Sequence, residues 1–264
     1  MAIRLSAIAL AAGLALPLSA TAAVEPMQTF QADYSISFLG INVANSNFVT
    51  RIGADRYDVD GSIESTGLVT FFDRTRAKAM VSGRIGSNGQ VVPASYSVDY
   101  VYGKKTKKTS LDFAHDKVVK ISNSPPLPPR RADWVPVKDK DLRAVLDPIS
   151  ATLIRAKDLR SVCDHRVKAF DGQLRADMTL SYVGTAAVSI GSFQGEAVTC
   201  SGHFRPVAGY HRNNKSLRYL MTNSDIVVKF AELGKTGIYA PIQASVSTRI
   251  GTVSIRARRL EATQ

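Results

Sequence analysis

The 264-residue sequence lacks the short motifs that mark metal and nucleotide sites. It contains no HExxH motif, no histidine pair at ligand spacing, no P-loop and no GxGxxG fingerprint. Its two cysteines, Cys163 and Cys200, are isolated and cannot build a zinc site by themselves. The sequence therefore predicts neither a metal nor an organic cofactor.

No segment of the sequence carries a local catalytic signature, so we predict no catalytic residues. The serine between Gly191 and Gly195 stands one position early for the GxSxG nucleophile elbow. His115, His203 and His211 occupy a turn, a polar strand face and a basic loop, where a solvent-facing role is expected. Carboxylates from distant strands that meet only after folding remain open as an alternative.

The sequence has one long apolar run, which lies at the N-terminus between residues 5 and 18. As a helix this run would be about 21 Å long, too short for a hydrocarbon core of about 30 Å. Arg4 precedes it and small residues follow it, which is typical of a signal peptide cut near Ala22 or Ala23. We therefore expect a leader over residues 1–23 and an exported chain over residues 24–264. An uncleaved membrane anchor is the alternative.

The cysteine count is consistent with export to an oxidising compartment, where two thiols usually pair. We therefore predict a disulfide between Cys163 and Cys200. The alternative is a reactive thiol at Cys163 assisted by His165. On a strand, that spacing of two directs both side chains to one face but toward neighbouring positions, so the disulfide is favoured.

The formal net charge of +12 indicates an anionic partner or a basic surface that serves solubility. Export argues against nucleic acid and favours the envelope: lipid headgroups, lipopolysaccharide or acidic glycans. We expect peripheral contact with an anionic membrane surface at one predicted hairpin tip, whose lysines are Lys104, Lys105, Lys107 and Lys108. The alternative is that these lysines protect a sheet edge from aggregation.

Apolar and polar residues alternate along much of the chain, as in Tyr34, Ile36 and Phe38. Glycine-containing turns separate these segments, and no alternation of strands with helices indicates a parallel sheet. We predict a mainly β fold, an antiparallel curled or spiral sheet or a half-open barrel. It forms a single domain with a proline-rich crossover over residues 124–131.

Two further segments carry local predictions. Asp147 and Pro148 are a favourable start for one short helix over about residues 147–157. Adjacent residues on a strand face opposite ways, so one of Phe71 and Phe72 can line a groove. Core packing of both around a bend is the alternative.

Several segments together resemble an uncharacterised family of exported proteins from Gram-negative bacteria, known only as a domain of unknown function. The matching residues are 34–41, 57–61, 93–96, 146–151, 170–172 and 200–210, with Gln173 standing where a basic residue is expected. The resemblance implies a curled or spiral antiparallel sheet in the periplasm with Cys163 and Cys200 bridged, similar to the sheet of envelope-integrity proteins. It implies no catalytic residues.

These observations favour a non-enzymatic periplasmic protein that supports cell-envelope integrity. It would bind a lipid, a glycan or a protein partner in the trough of the curved sheet. The alternative is a hydrolase acting on envelope glycan or lipid, which requires a pocket that holds two acidic residues. A purely structural role in an assembly is the third interpretation.

Overall fold

The fold is described from a computed structural model for residues 27–67, 70 and 74–263. The expected leader with its cleavage position at Ala22 and Ala23 lies outside the described residues. So do Phe71 and Phe72. Both expectations therefore stay predictions.

Strands dominate the described chain, because alternating apolar and polar residues let each strand cover a core with one face. In chain order they are β1 (Gln28–Phe38), β2 (Ile41–Ile52), β3 (Arg56–Ser65), β4 (Thr75–Ile85), β5 (Val91–Tyr102), β6 (Lys105–Ala114), β7 (Lys117–Ser124), β8 (Trp134–Val135), β9 (Ile154–Arg155), β10 (Arg166–Phe170), β11 (Arg175–Ile190), β12 (Phe193–Ala208), β13 (Tyr210–His211), β14 (Ile226–Glu232), β15 (Ile238–Thr248) and β16 (Gly251–Thr263).

Fourteen of the described strands form one large antiparallel sheet. Its order is β10-β11-β12-β14-β15-β16-β1-β2-β3-β4-β5-β6-β7, with β9 paired to β15 beside this path. The sheet is curled but not closed into a barrel. The predicted fold class is confirmed. Strands β8 and β13 form a separate two-stranded ribbon.

A short segment spans the gap between the two edge strands, β7 and β10. Arg143 forms an antiparallel bridge to Lys117 on β7, and Leu146 forms a parallel bridge to Ala169 on β10. Backbone hydrogen bonds also run from Leu146 N to Lys168 O (2.8 Å) and from Phe170 N to Leu146 O (2.8 Å). The edges are therefore covered, which limits pairing with other chains.

The predicted helix over about residues 147–157 is not present at that position. Asp147 accepts hydrogen bonds from Ile149 N and Ser150 N, both at 2.9 Å, as expected of a helix cap. Only a single 3₁₀ turn follows, over Ser150–Thr152, rather than a helix to residue 157. The correction has a tertiary cause, because Ile154 leaves the turn to pair with β15.

The α-helix of the described chain is α1 (Lys215–Thr222), which was not predicted from the sequence. Its start carries an ordinary signal: the Asn214 side chain accepts hydrogen bonds from Ser216 N and Leu217 N at 3.0 and 3.1 Å. No helix in the described residues is both long and apolar enough to traverse a bilayer.

The predicted disulfide is confirmed: Cys163 and Cys200 are bonded, with their Cα atoms 5.5 Å apart. Both are fully buried in a small cluster with Val162, Val198 and Phe230. A larger cluster of buried apolar residues forms the main core beside it. The disulfide therefore fastens the segment before β10 to the middle of β12.

Candidate functional site

The curled sheet encloses a cavity of about 440 Å³. Side chains from β1–β3, β10–β12 and β14–β16 line it, together with the segment 148–154. This volume falls within the range of about 300–1,000 Å³ that is usual for small-molecule sites. The cavity is the concave feature of the described molecule best suited to hold a ligand.

The cavity lining is predominantly apolar. Its larger members come from both walls of the curl: Phe30, Ile36, Phe48, Ile63, Met178, Leu180, Phe204, Val228, Phe230, Leu233, Ile255 and Leu260. The small residues between them include Ala151, Ala169, Ala176, Ala240 and Ala244. Small side chains at inward-facing positions leave the empty space, since larger ones there would complete an ordinary core.

Few polar atoms in the described lining are free to bind a ligand. The Tyr34 hydroxyl donates to the Pro241 carbonyl at 2.8 Å, and its ring meets Phe48 edge-on with centroids 5.9 Å apart. Burial raises the pKa of Tyr34, so this phenol stays protonated. Thr50 and Gln243 are further polar members of the lining. The site therefore suits a ligand that is mostly hydrocarbon.

Burial along the inner face shows where the cavity opens. On β1 the inner-face residues pass from buried Phe30 to half-buried Ile36. On neighbouring β16 they pass from Leu260, 4% exposed, to Ile255, 37% exposed. The cavity is thus closed near the start of β1 and opens toward the β1–β2 and β15–β16 turns.

A fully buried hydrogen-bond chain supports the segment that covers the cavity. The Ser150 hydroxyl donates to Asp147 Oδ2, and the Tyr57 hydroxyl lies 2.7 Å from Ser150 Oγ. Burial raises the pKa of Asp147, although hydrogen bonds from Ser150 and Ile149 oppose the shift. Because Pro148 and Ile149 line the cavity directly after Asp147, this chain positions part of its wall.

A second buried carboxylate, Asp177, belongs to the cavity lining, where it stands between Ala176 and Met178 on β11. Arg166 and Arg175 contact it at 2.6 Å, and Arg205 at 3.0 Å.

Burial opposes ionisation of Asp177, but the hydrogen bonds from the three arginines outweigh that effect and hold its pKa well below the usual range. Of the described residues that line the cavity, Asp177 is the acidic one. The described lining therefore does not bring together the two acidic residues that the hydrolase alternative requires. No cluster of three or more potential metal ligands occurs in the described part of the chain.

His211, for which the sequence predicted a solvent-facing role, makes two side-chain contacts in the structure. Its Nδ1 lies 2.8 Å from Asp133 Oδ1, and its ring meets Trp134 with centroids 5.0 Å apart. The hydrogen bond from His211 lowers the pKa of Asp133. This contact joins β13 to the segment that precedes β8. Its residues lie too far apart in sequence for a local pattern to predict it.

The predicted lysine cluster lies where the hairpin prediction placed it. Lys104 is in the β5–β6 turn, and Lys105, Lys107 and Lys108 follow on β6, all exposed. Lys108 lies 3.5 Å from Asp99, whose carboxylate offsets part of the charge. The cluster is separate from the cavity lining.

Comparison with known families identifies the chain. Residues 33–258 match the model of a protein family of unknown function, DUF3108. The chain belongs to this family. No curated protein matches it. DUF3108 thus accounts for almost the whole described structure and assigns it no activity.

Two solved structures are similar to this DUF3108 protein at low identity. One is the β-barrel-like protein of a domain of unknown function, DUF1849, from Brucella abortus, with 12% identity and a TM-score of 0.47 over 92% of this chain and all of that one. The other is the hypothetical protein CT021 from Chlamydia trachomatis, with 10% identity and a TM-score of 0.29 over 88% and 89% of the two chains.

Proposed function

We propose that this protein is a non-enzymatic, exported ligand-binding protein of the bacterial periplasm. It holds the hydrocarbon part of a lipid inside its curled sheet and in this way supports the cell envelope. The observation that carries the proposal is the apolar cavity of about 440 Å³. The disulfide and the expected leader support the compartment, because such bridges persist where thiols are oxidised.

Among the ligands considered from the sequence, the lining favours a lipid over a glycan. A glycan site needs many hydrogen-bond partners, whereas the cavity offers mainly carbon atoms and a few polar groups, among them a tyrosine whose hydroxyl is already bonded. Each buried methylene gains about 0.8 kcal/mol, so a chain of about twelve carbons gains on the order of 10 kcal/mol before the cost of association. That gain is sufficient for measurable binding.

The proposal is tested with protein purified from its own periplasm. Native mass spectrometry should find a co-purifying lipid, and the delipidated protein should bind a fluorescent fatty acid that the recovered lipid displaces. Ala244→Phe places a ring in the lining between Val228 and Ile255 and should abolish probe binding. Ser245→Phe changes the next residue, on the opposite face, and serves as the matched control.

The expected result is loss of binding in the Ala244 variant alone, with both variants keeping the wild-type urea midpoint. Protein that carries no lipid and binds no acyl probe would contradict the proposal. Equal binding by wild type and the Ala244 variant would also contradict it, because the ligand would then lie outside the cavity.

A further inference from the structure

Two neighbouring hairpin turns at the open end of the cavity carry exposed apolar residues. Leu39, Ile41 and Ile250 are 62%, 65% and 72% exposed, and together we call them the apolar ridge. The β1–β2 and β15–β16 turns that hold them are joined, because Leu39 N donates to Thr252 O at 3.0 Å. The ridge is thus one continuous feature rather than three scattered side chains.

The apolar ridge continues into the cavity. Directly below it Phe38 pairs with Ile41 on β2 and with Val253 on β16. One step further inward Ile36 pairs with Ile255, and both line the cavity. An unbroken apolar path therefore runs from the tips of the turns to the proposed lipid site.

Exposed cations lie on the same rim of the sheet. Antiparallel strands reverse direction at each step, so the turns after β1, β5 and β15 all lie at this end. Arg249 is next to Ile250, and the β5–β6 turn carries Lys104 and Lys105. The Gly103 amide in that turn donates to the carbonyl of exposed Arg74 at 3.2 Å, which adds a further cation.

Among the described residues, acidic side chains at this end only partly offset the cations. Glu64 and Asp225 are exposed there, and Asp99 is engaged by Lys108. Four strand spacings of about 4.8 Å separate the β1–β2 turn from the β5–β6 turn. The two turns are therefore about 20 Å apart along the sheet, and one flat partner surface can contact both. The rim therefore combines positive charge with protruding hydrocarbon across the area of a few lipid headgroups.

We propose that this rim docks on an anionic lipid bilayer. The apolar ridge enters the headgroup layer, while Arg249, Lys104 and Lys105 contact lipid phosphates. A soluble polyanion would use the cations but not the ridge, and a purely apolar partner would use the ridge but not the cations. Docking goes beyond the proposed lipid-binding function and does not require an occupied cavity.

The test is cosedimentation of the full exported chain with phosphatidylcholine vesicles that contain or lack phosphatidylglycerol. One variant combines Leu39→Asn with Ile250→Asn, since Asn tolerates the φ of +51° at Leu39. Its control combines Met80→Asn with Val119→Asn, which are similarly exposed but lie within β4 and β7.

A second variant combines Lys104→Glu with Lys105→Glu. Its control reverses two exposed lysines away from this rim, Lys157 and Lys235, the latter in the turn between β14 and β15. The net charge of the two variants is identical, so overall electrostatic attraction is matched. The urea midpoint of each variant verifies that it is folded.

We expect binding to anionic vesicles only, with a loss of about tenfold or more in each rim variant and less than about threefold in each control. Equal loss in the two lysine variants would overturn the proposal, since only net charge would then matter. Undiminished binding by the Leu39 and Ile250 variant would also overturn it and indicate a soluble-polyanion type of contact. If vesicle binding persists in the Ala244→Phe variant while acyl-probe binding is lost, docking and cavity binding are separate properties.

Discussion

Reduction of the Cys163–Cys200 disulfide is expected to destabilise this protein strongly. The two cysteines are 37 residues apart in sequence, and the loop between them contains β10, β11 and part of β12. In the chain-entropy model a loop of this length removes about 13 cal/mol/K from the unfolded state, or about 4 kcal/mol at room temperature. Both cysteines are fully buried, so contact of the reduced thiols with solvent does not compensate for the lost bond.

The assay is urea denaturation of the oxidised protein and of protein that was reduced while unfolded and refolded with reductant present. With a slope of about 3 kcal/mol/M, the loss of about 4 kcal/mol lowers the midpoint by roughly 1.3 M. A Cys163→Ala/Cys200→Ala variant is the control, because its midpoint should not respond to reductant. A difference below about 1 kcal/mol between the oxidised and reduced wild type would refute the reasoning.

Three further predictions follow from individual residues. Asp177→Asn leaves buried Arg175 without its carboxylate and should lower the free energy of unfolding by about 3 kcal/mol at neutral pH, whereas Asp60→Asn, which removes an exposed ion pair, should cost less than about 1 kcal/mol. The raised pKa of Asp147 means that its favourable contribution is complete below the ordinary value near 3.9 and is lost as the pH rises through the folded-state pKa. Asp147→Asn keeps the backbone cap but cannot ionise, so urea midpoints should show it gaining on the wild type as the pH rises above about 4 and through the raised pKa of Asp147. Gly209→Ala should cost about 3 kcal/mol or more, because φ is +80° there and an added Cβ would lie 1.7 Å from the Gln173 carbonyl oxygen; an unchanged thermal midpoint would show that the backbone relaxes freely.

The strand framework was accessible from sequence because its signals are local. The alternation around Tyr34, Ile36 and Phe38 predicts a strand with one buried face, and the structure has β1 there. Glycine-containing turns were expected between the strands, and the structure has them, for example at Gly53 between β2 and β3 and at Gly103 between β5 and β6. The cysteine pairing required only that two thiols share an oxidising compartment.

The helix prediction illustrates where local signals end. Asp147 caps a turn as expected, but Ile154 pairs with Tyr239 of β15 instead of continuing a helix. Conversely, α1 begins at an ordinary Asn cap that the search for apolar periodicity overlooked. Neither outcome follows from the segment alone, because each depends on which neighbour offers hydrogen bonds.

The candidate site depended on tertiary structure in the same way. Alternation indicated that Tyr34, Ile36 and Phe38 share one face of their strand, but not whether side chains from distant strands meet or leave space between them. Curvature of the sheet decides that question, since it sets the distance between walls that are far apart in sequence. Chain-local chemistry therefore determined the strands, the turns and the cysteine bridge. The curl determined the cavity, the direction in which it opens, and the joining of apolar tips and cations on one rim.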